Sequence, residues 1–269
     1  MRAPALVIGL VALVAAAGCG GSSHHASSST SGTSTGSGNA AVDVTPIGSG
    51  TTESWLYVPH GRKPRSIVLF FHGFGTTSPA DHEAWLEHLA SEGNAVVYPR
   101  YIVDTNLDTH RLRDAIVGVE GGLRLLKAKH LPVVGIGYSM GGRMVVEYSA
   151  VAGGLGLPVP SSILSIFPGQ RGSDDPIINL ATLPQKVNVT IMAGDHDQVV
   201  GNDGPRQLLT RLEAIRFPVK HLHVVIVHSK GSFVATHLSV FETSSGAKAA
   251  FWRPADAMIA SQVATKGAR

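Results

Sequence analysis

The chain has 269 residues, 43% of them hydrophobic, 15% charged and 6% aromatic, enough to bury one substantial core and to make one globular domain the default. Its 22 Lys and Arg against 19 Asp and Glu leave +3 with His neutral, and no basic cluster could track a phosphate backbone, which argues against a nucleic acid partner. A single cysteine, Cys19, excludes an intramolecular disulfide and a cysteine cage for a metal.

Met1-Arg2 precedes the apolar run Ala3 to Ala17, shorter than the roughly 20 residues of a transmembrane helix, and the pair reads as an export signal. The run ends in Ala16-Ala17-Gly18-Cys19, which resembles the lipobox of bacterial lipoproteins, with Ala16 where Leu is commoner. By that resemblance residues 1–18 are a signal peptide and Cys19 is the acylated first residue of the mature chain. The protein would then be exported and anchored through Cys19 to the outer face of the cytoplasmic membrane or to the cell envelope. An ordinary signal-peptidase site with a leftover thiol is the other reading. From Gly20 to Ala40, 16 of 21 residues are Gly, Ser or Thr, too little apolar surface to offset the entropy of ordering. Residues 19–42 are therefore expected to be a flexible linker and residues 43–269 the folded domain. His24-His25 in the linker lack the further ligands of a closed metal site.

In chain order, strands are predicted at Ser54–Val58, Ser66–Phe71, Ala95–Tyr98, Pro132–Gly137, Ser161–Phe167, Val187–Ala193 and Val219–Val227. Helices are predicted between them at about Pro79–Glu92, Arg111–Lys129, Gly142–Ala152, Pro205–Ile215 and Ala247–Ser261. In the second helix, Leu112, Ala115, Ile116, Val119, Leu123 and Leu126 recur at spacings of three and four and mark one buried face. Ile67 to Phe71 and Pro132 to Gly137 are almost continuously apolar, as parallel strands covered on both faces must be. The alternation predicts an α/β domain with a mostly parallel central sheet.

Gly137-Tyr138-Ser139-Met140-Gly141 follows one buried strand and precedes a helix, the setting in which G-x-S-x-G becomes a nucleophile elbow. The glycines permit a sharp turn that holds a strained Ser139 above the sheet at a helix N-terminus. His72-Gly73-Phe74-Gly75 follows the other buried strand. Together these motifs resemble the α/β-hydrolase family, whose HGxG loop supplies half of an oxyanion hole. The resemblance implies Ser139 as nucleophile and the N–H groups of Phe74 and Met140 as oxyanion donors, with His72 structural.

The family's acid follows a later strand, and Gly194-Asp195-His196-Asp197-Gln198-Val199 looks like that segment, with Asp197 at the aligned position. Asp195 is its rival, with Asp174 and Asp175 after the preceding strand as weaker ones. For the base, the loop after the last strand offers His237, with His228 as alternative; no glycine precedes His237 as one often does in the family. The order Ser139, Asp197, His237 is the family's order. His221 and His223 are read as a solvated or hydrogen-bonded strand face, and Trp55, Trp85 and Trp252 as packing residues. No metal-ligand spacing and no cofactor motif stand out.

The resemblance spans about Trp55 to Ile259 and implies a serine hydrolase that cleaves carboxylic esters, and with the lipobox resemblance at Cys19 a secreted, membrane-tethered one. Between Phe167 and Val187 lie 19 residues, too few for a helical cap, so an open cleft is expected, with Tyr138 and Phe167 lining it beside Phe74 and Met140. That resembles the cap-poor cutinase and chlorophyllase-like branch and suits an apolar small-molecule, lipid or polymer ester, with no obligate protein partner. The same triad would serve an acyltransferase, thioesterase or peptidase, and a surface-tethered binding lipoprotein is the reading from outside enzymes.

Overall fold

In β3 (Ser66–Phe71) every residue is buried, and successive side chains enter different cores. Ile67, Leu69 and Phe71 belong to one hydrophobic cluster, Val68 and Phe70 to the other. Alternation across a pleated strand places them so, and only a sheet covered on both faces makes such a strand apolar throughout. The computed structural model describes residues 41–102, 110–127, 130–170 and 178–267. The expected signal peptide, Cys19, His24, His25, Asp174 and Asp175 lie outside the described residues.

Eight strands form one sheet in the order β1-β2-β4-β3-β5-β6-β7-β8, built from β1 (Val42–Ile47), β2 (Ser54–Pro59), β3, β4 (Asn94–Pro99), β5 (Val133–Tyr138), β6 (Ser162–Ile166), β7 (Asn188–Gly194) and β8 (Leu222–Val227). β2 pairs antiparallel with β1 and β4, and the other pairs are parallel. Helices α2 (Arg111–Leu126), α3 (Met140–Ala152) and α4 (Asp203–Ala214) send Ala115, Val145 and Leu208 into the first core. Helix α1 (Glu83–Ser91), the turn α5 (Ser245–Ala247) and helix α6 (Arg253–Gly267) send Leu86, Ala247 and Ile259 into the second. There the Trp85 and Trp252 rings stack at 6.1 Å, and Phe70 meets Trp85 edge-on at 5.3 Å. This is the mostly parallel α/β sheet with helices on both faces that the sequence predicts.

The differences have local causes. β1 is not anticipated because it is an edge strand whose four inner residues are exposed, so Asp43, Thr45 and Pro46 interrupt any apolar pattern. The residues Val219–His221 form a 3-10 turn instead of the start of β8, with Pro218 just before it. His221 leaves the strand face and its Nδ1 lies 2.8 Å from Asn188 Oδ1, whereas His223 is exposed on β8. The last helix begins earlier, capped by Ser244 Oγ, and passes through a π turn at Lys248–Trp252.

Candidate active site

β5 and α3 meet at Ser139, whose φ of 54° and ψ of −123° are a strained geometry for a residue with a side chain. The turn is close because a Cβ on Gly137 would stand 2.2 Å from the Gly141 carbonyl oxygen, and one on Gly141 would stand 2.2 Å from that of Phe71. Only glycine fits at either end. Backbone bonds then lock the elbow: Ser139 N–H donates to the Ile166 carbonyl at 2.9 Å, and the Ser139 carbonyl accepts from Gly142 and Gly169 at 2.9 and 2.8 Å.

Three side chains from three loops converge there. Ser139 Oγ lies 2.9 Å from His237 Nε2, and His237 Nδ1 lies 2.8 Å from Asp197 Oδ2. A carboxylate can only accept, so the imidazole proton is on Nδ1 and Nε2 accepts from the serine hydroxyl. The other Asp197 oxygen accepts the N–H groups of Val199 at 2.9 Å and Val200 at 3.1 Å. Burial opposes charge on Asp197, but the His237 hydrogen bond and charge, together with those two N–H groups, outweigh it and hold the carboxyl below its ordinary range. All three side chains are buried, so their interactions are little screened by water.

Of the oxyanion candidates, Met140 directly follows the serine, and Phe74 follows Gly73, where a Cβ would stand 3.3 Å from that of Ser139. Met140 is the first residue of α3, where an N–H has no partner in the preceding turn. Phe74 lies in the turn after β3, its exposed ring beneath the Arg111 guanidinium at 5.7 Å. Behind that turn, His72 is fully buried, stacks on the Tyr101 ring at 3.9 Å and uses Nδ1 on the Gly73 carbonyl at 2.8 Å. Tyr101 Oη–H in turn donates to the His72 carbonyl. Burial chiefly pushes the His72 imidazole down to about 4 and that of neighbouring His82 down to about 3, so both stay neutral at neutral pH. His72 thus supports the loop and does not act as the base.

The remaining candidates fall elsewhere. Tyr138 and Phe167 do not line an open wall: both are buried and pack against the His237 ring, at 5.0 and 6.2 Å. Tyr138 Oη–H also donates to the His237 carbonyl at 2.9 Å. The cause is the loop carrying His237, which folds over the ends of β5 and β6 and covers both rings. Asp195 accepts from Ser229, and exposed His228 faces Asp195 at 3.4 Å; neither meets the Ser139–His237 pair. The support by Tyr101 and by Ser229 is missing from the sequence reading, and no spacing signal marks either residue. Among the described residues no three His, Cys, Asp or Glu side chains gather as metal ligands, and no helix is long and apolar enough to cross a membrane.

Compared with solved structures, the chain is similar to esterase B from Lactobacillus rhamnosis inhibited by a tributyrin phosphonate, with TM-score 0.63 and 14% identity, covering 85% of this chain and 90% of that one. It is similar as well to an α/β-hydrolase enzyme from a Medee basin deep-sea metagenome library, with TM-score 0.60 and 15% identity over 84% of this chain and 99% of that one. The fold is that of the α/β-hydrolases. The chain is also similar to one of two fungal esterases from Rhizomucor miehei, with TM-score 0.61 and 15% identity over 83% of each chain. The sequence matches no protein-family model and no curated protein. At these identities the likeness concerns the α/β-hydrolase fold alone, and the chemistry rests on the site's own geometry.

Proposed function

We propose that this chain is a serine hydrolase that cleaves carboxylic esters through an acyl-enzyme, exported and held at the envelope surface by an acylated Cys19. The observation that carries it is the relay from Ser139 Oγ to His237 Nε2 at 2.9 Å and from His237 Nδ1 to Asp197 Oδ2 at 2.8 Å. In this reading Ser139 Oγ attacks the ester carbonyl carbon while His237 Nε2 takes its proton. The carbonyl π pair moves onto oxygen, and the N–H groups of Phe74 and Met140 hold that charge. Collapse re-forms the carbonyl and breaks the bond to the alkoxy oxygen, which leaves with the proton from His237. Water, deprotonated by the same nitrogen, then attacks the acyl-enzyme and returns Ser139 with a free acid. Asp197 stays ionised throughout, fixes the imidazole tautomer and stabilises its charged form.

Apolar esters on an open cleft suit the surroundings of the site. Phe74, Val199 and Leu238 are 53%, 69% and 62% exposed, and each stands within two residues of a group the reaction uses or is itself one. The segment between β6 and β7 contains, among its described residues, only the short 3-10 turn Leu180–Thr182. The similarity in fold to an esterase inhibited by a tributyrin phosphonate supports an ester substrate, and the cap-poor cutinase and chlorophyllase-like branch fits an uncovered site. Export and anchoring rest on the apolar run before Cys19 and on the Gly, Ser and Thr tract after it.

The test is hydrolysis of p-nitrophenyl esters of graded chain length, beside thioester and peptide substrates, by the parent protein, Ser139→Ala and His237→Ala. Loss in both variants with ester preferred is expected. Activity surviving in His237→Ala overturns His237 as the base, and a parent neither active nor labelled by a fluorophosphonate makes this a binding protein. Incorporation of labelled palmitate by the parent but not by Cys19→Ser tests the anchor.

A further inference from the structure

Between the end of β8 at Val227 and His237 the chain runs through an irregular loop that must return across the end of β7 to reach Ser139. Such a loop has no regular ladder to hold its far end, yet an active imidazole has to sit within about half an ångström of its working place. Besides Asp197 and Tyr138, which meet His237 itself, one point at the end of β7 holds the loop upstream of it. Asp195, just past β7, accepts the Ser229 N–H on Oδ2 at 2.8 Å and the Ser229 Oγ–H on Oδ1 at 2.6 Å. Ser229 Oγ then accepts the Ala235 N–H at 2.9 Å, two residues before His237. The Ala235 carbonyl is taken from the same side, by His196 N–H at 3.3 Å. Gly194 lets this strand of loop come so near, because a Cβ there would stand 2.4 Å from the Ala235 oxygen.

We infer that Asp195 and Ser229 form a positioning clasp that ties the loop bearing the candidate base to the loop bearing the candidate acid, and so sets His237 against Ser139 for turnover. The inference rests on the hydrolase reading of Ser139, His237 and Asp197 and adds two residues to it. Because Asp195 and Asp197 leave the same strand end, one short segment fixes the imidazole twice, through Asp197 at Nδ1 and through Ser229 and Ala235 along the backbone. A carboxylate is required for the first link, since both of its oxygens accept from the one serine. An amide would present N–H to one of those donors. The short, charge-assisted geometry accords with the Asp195 carboxyl being held far below its ordinary range, first by His196 and then by the two Ser229 bonds.

Asp195, His196 and Ser229 match a second triad in residue type only. His196 meets Asp195 Oδ1 at 2.8 Å and Ser229 Oγ at 3.0 Å through the same nitrogen, Nδ1, so no imidazole bridges acid and hydroxyl. The Ser229 proton points to Asp195, and the oxygen is occupied by Ala235 N–H. A nucleophile needs that oxygen free and its proton on a base. His228 Nδ1, 3.4 Å from Asp195 Oδ2, completes the groups around the carboxylate and remains solvent-exposed.

The experiment compares the full-length parent with Asp195→Asn, Ser229→Ala, the double variant and Ser229→Thr on p-nitrophenyl butyrate. Competent sites are counted by fluorophosphonate titration, so that misfolded protein lowers the count and a misplaced imidazole lowers turnover per site. Each of the first two variants should lower kcat per titrated site by about 10- to 100-fold with KM changed less than about twofold, as a displaced catalytic group does. The double variant should fall no lower than the worse single one within about twofold, because the two residues act as a unit. Ser229→Thr, which keeps the hydroxyl, should retain kcat within about threefold of the parent. Unchanged kcat per site in both single variants, a loss confined to KM, multiplicative losses in the double variant, or failure of Ser229→Thr to rescue would each overturn the clasp while leaving the hydrolase reading intact. A parent that is neither labelled nor active overturns the hydrolase reading and removes the clasp's role with it.

Discussion

The centre of the sheet and its β7–β8 end each supply part of the site, by different means. At the centre, Ser139 is placed by backbone: a glycine at each end of a five-residue turn, a positive φ, and backbone hydrogen bonds with Ile166 and Gly169. At the edge, His237 lies 40 residues from Asp197 in sequence and is placed by side chains, through Asp197, Tyr138 and the Asp195–Ser229 link. Strain held in a short turn is rigid and leaves no tolerance for an added atom. Polar bonds between loops hold a group just as near but can be loosened one at a time.

The largest effect expected at the rigid centre is Ser139→Ala, which should cut kcat on the order of 10⁵-fold while the chain still folds. At the edge, Asp197→Asn should cut kcat on the order of 10⁴-fold, because the amide no longer selects the tautomer with Nδ1 protonated. The ratio of the two losses, read in one ester assay, measures how much of the site works without its orienting acid. Steric substitutions separate the regions further. A Cβ on Gly141 meets the Phe71 and His72 carbonyls at 2.2 and 2.3 Å, backbone on both sides, so Gly141→Ala should yield little folded protein. A Cβ on Gly194 meets the Ala235 carbonyl at 2.4 Å and the buried Phe167 ring at 3.0 Å, one backbone atom where Gly141 has two, so Gly194→Ala should cost about 1–3 kcal/mol by thermal or urea unfolding. Its kcat should fall well before its fold does. Equal destabilisation by the two would show the base loop to be as unyielding as the elbow.

The smallest effect lies away from both. His88 Nε2 meets Asp256 Oδ2 at 3.0 Å and ties α1 to α6. That hydrogen bond, opposed by partial burial and aided by the Asp256 charge, raises the His88 pKa above its ordinary 6.5. A raised value means the pair contributes fully below the unfolded value and is lost as pH rises through the folded one. Solvent exposure limits the contribution to at most about 1 kcal/mol. The gap in unfolding free energy between the parent and Asp256→Asn should therefore be larger near pH 6 than near pH 9; a constant gap would place the stabilisation elsewhere.

How much was legible follows the same division. The strands β3 and β5 and the elbow between β5 and α3 are written in contiguous residues, because a doubly covered strand must be apolar and a tight turn must have glycine where backbones touch. Edge strand β1 was not legible, since its exposed residues carry no apolar period. The sequence left Asp195 beside Asp197 and His228 beside His237 as alternatives, because two positions on one loop have nearly the same reach and differ only in where the side chain lands. Tyr138 and Phe167 read as cleft residues because the stretch between Phe167 and Val187 is too short for a cap, but their rings pack against the imidazole.

By itself the sequence determined the class of fold, the position of the nucleophile and the chemistry of its turn, since these depend on local period and on the steric demands of glycine. Only the tertiary structure decided which histidine meets the serine, which acid meets that histidine, and that Asp195 and Ser229 tie the histidine's loop to the end of β7. Those contacts join residues up to 98 positions apart, and a hydrogen bond discriminates over a few tenths of an ångström. Residue spacing along a chain carries no information that fine.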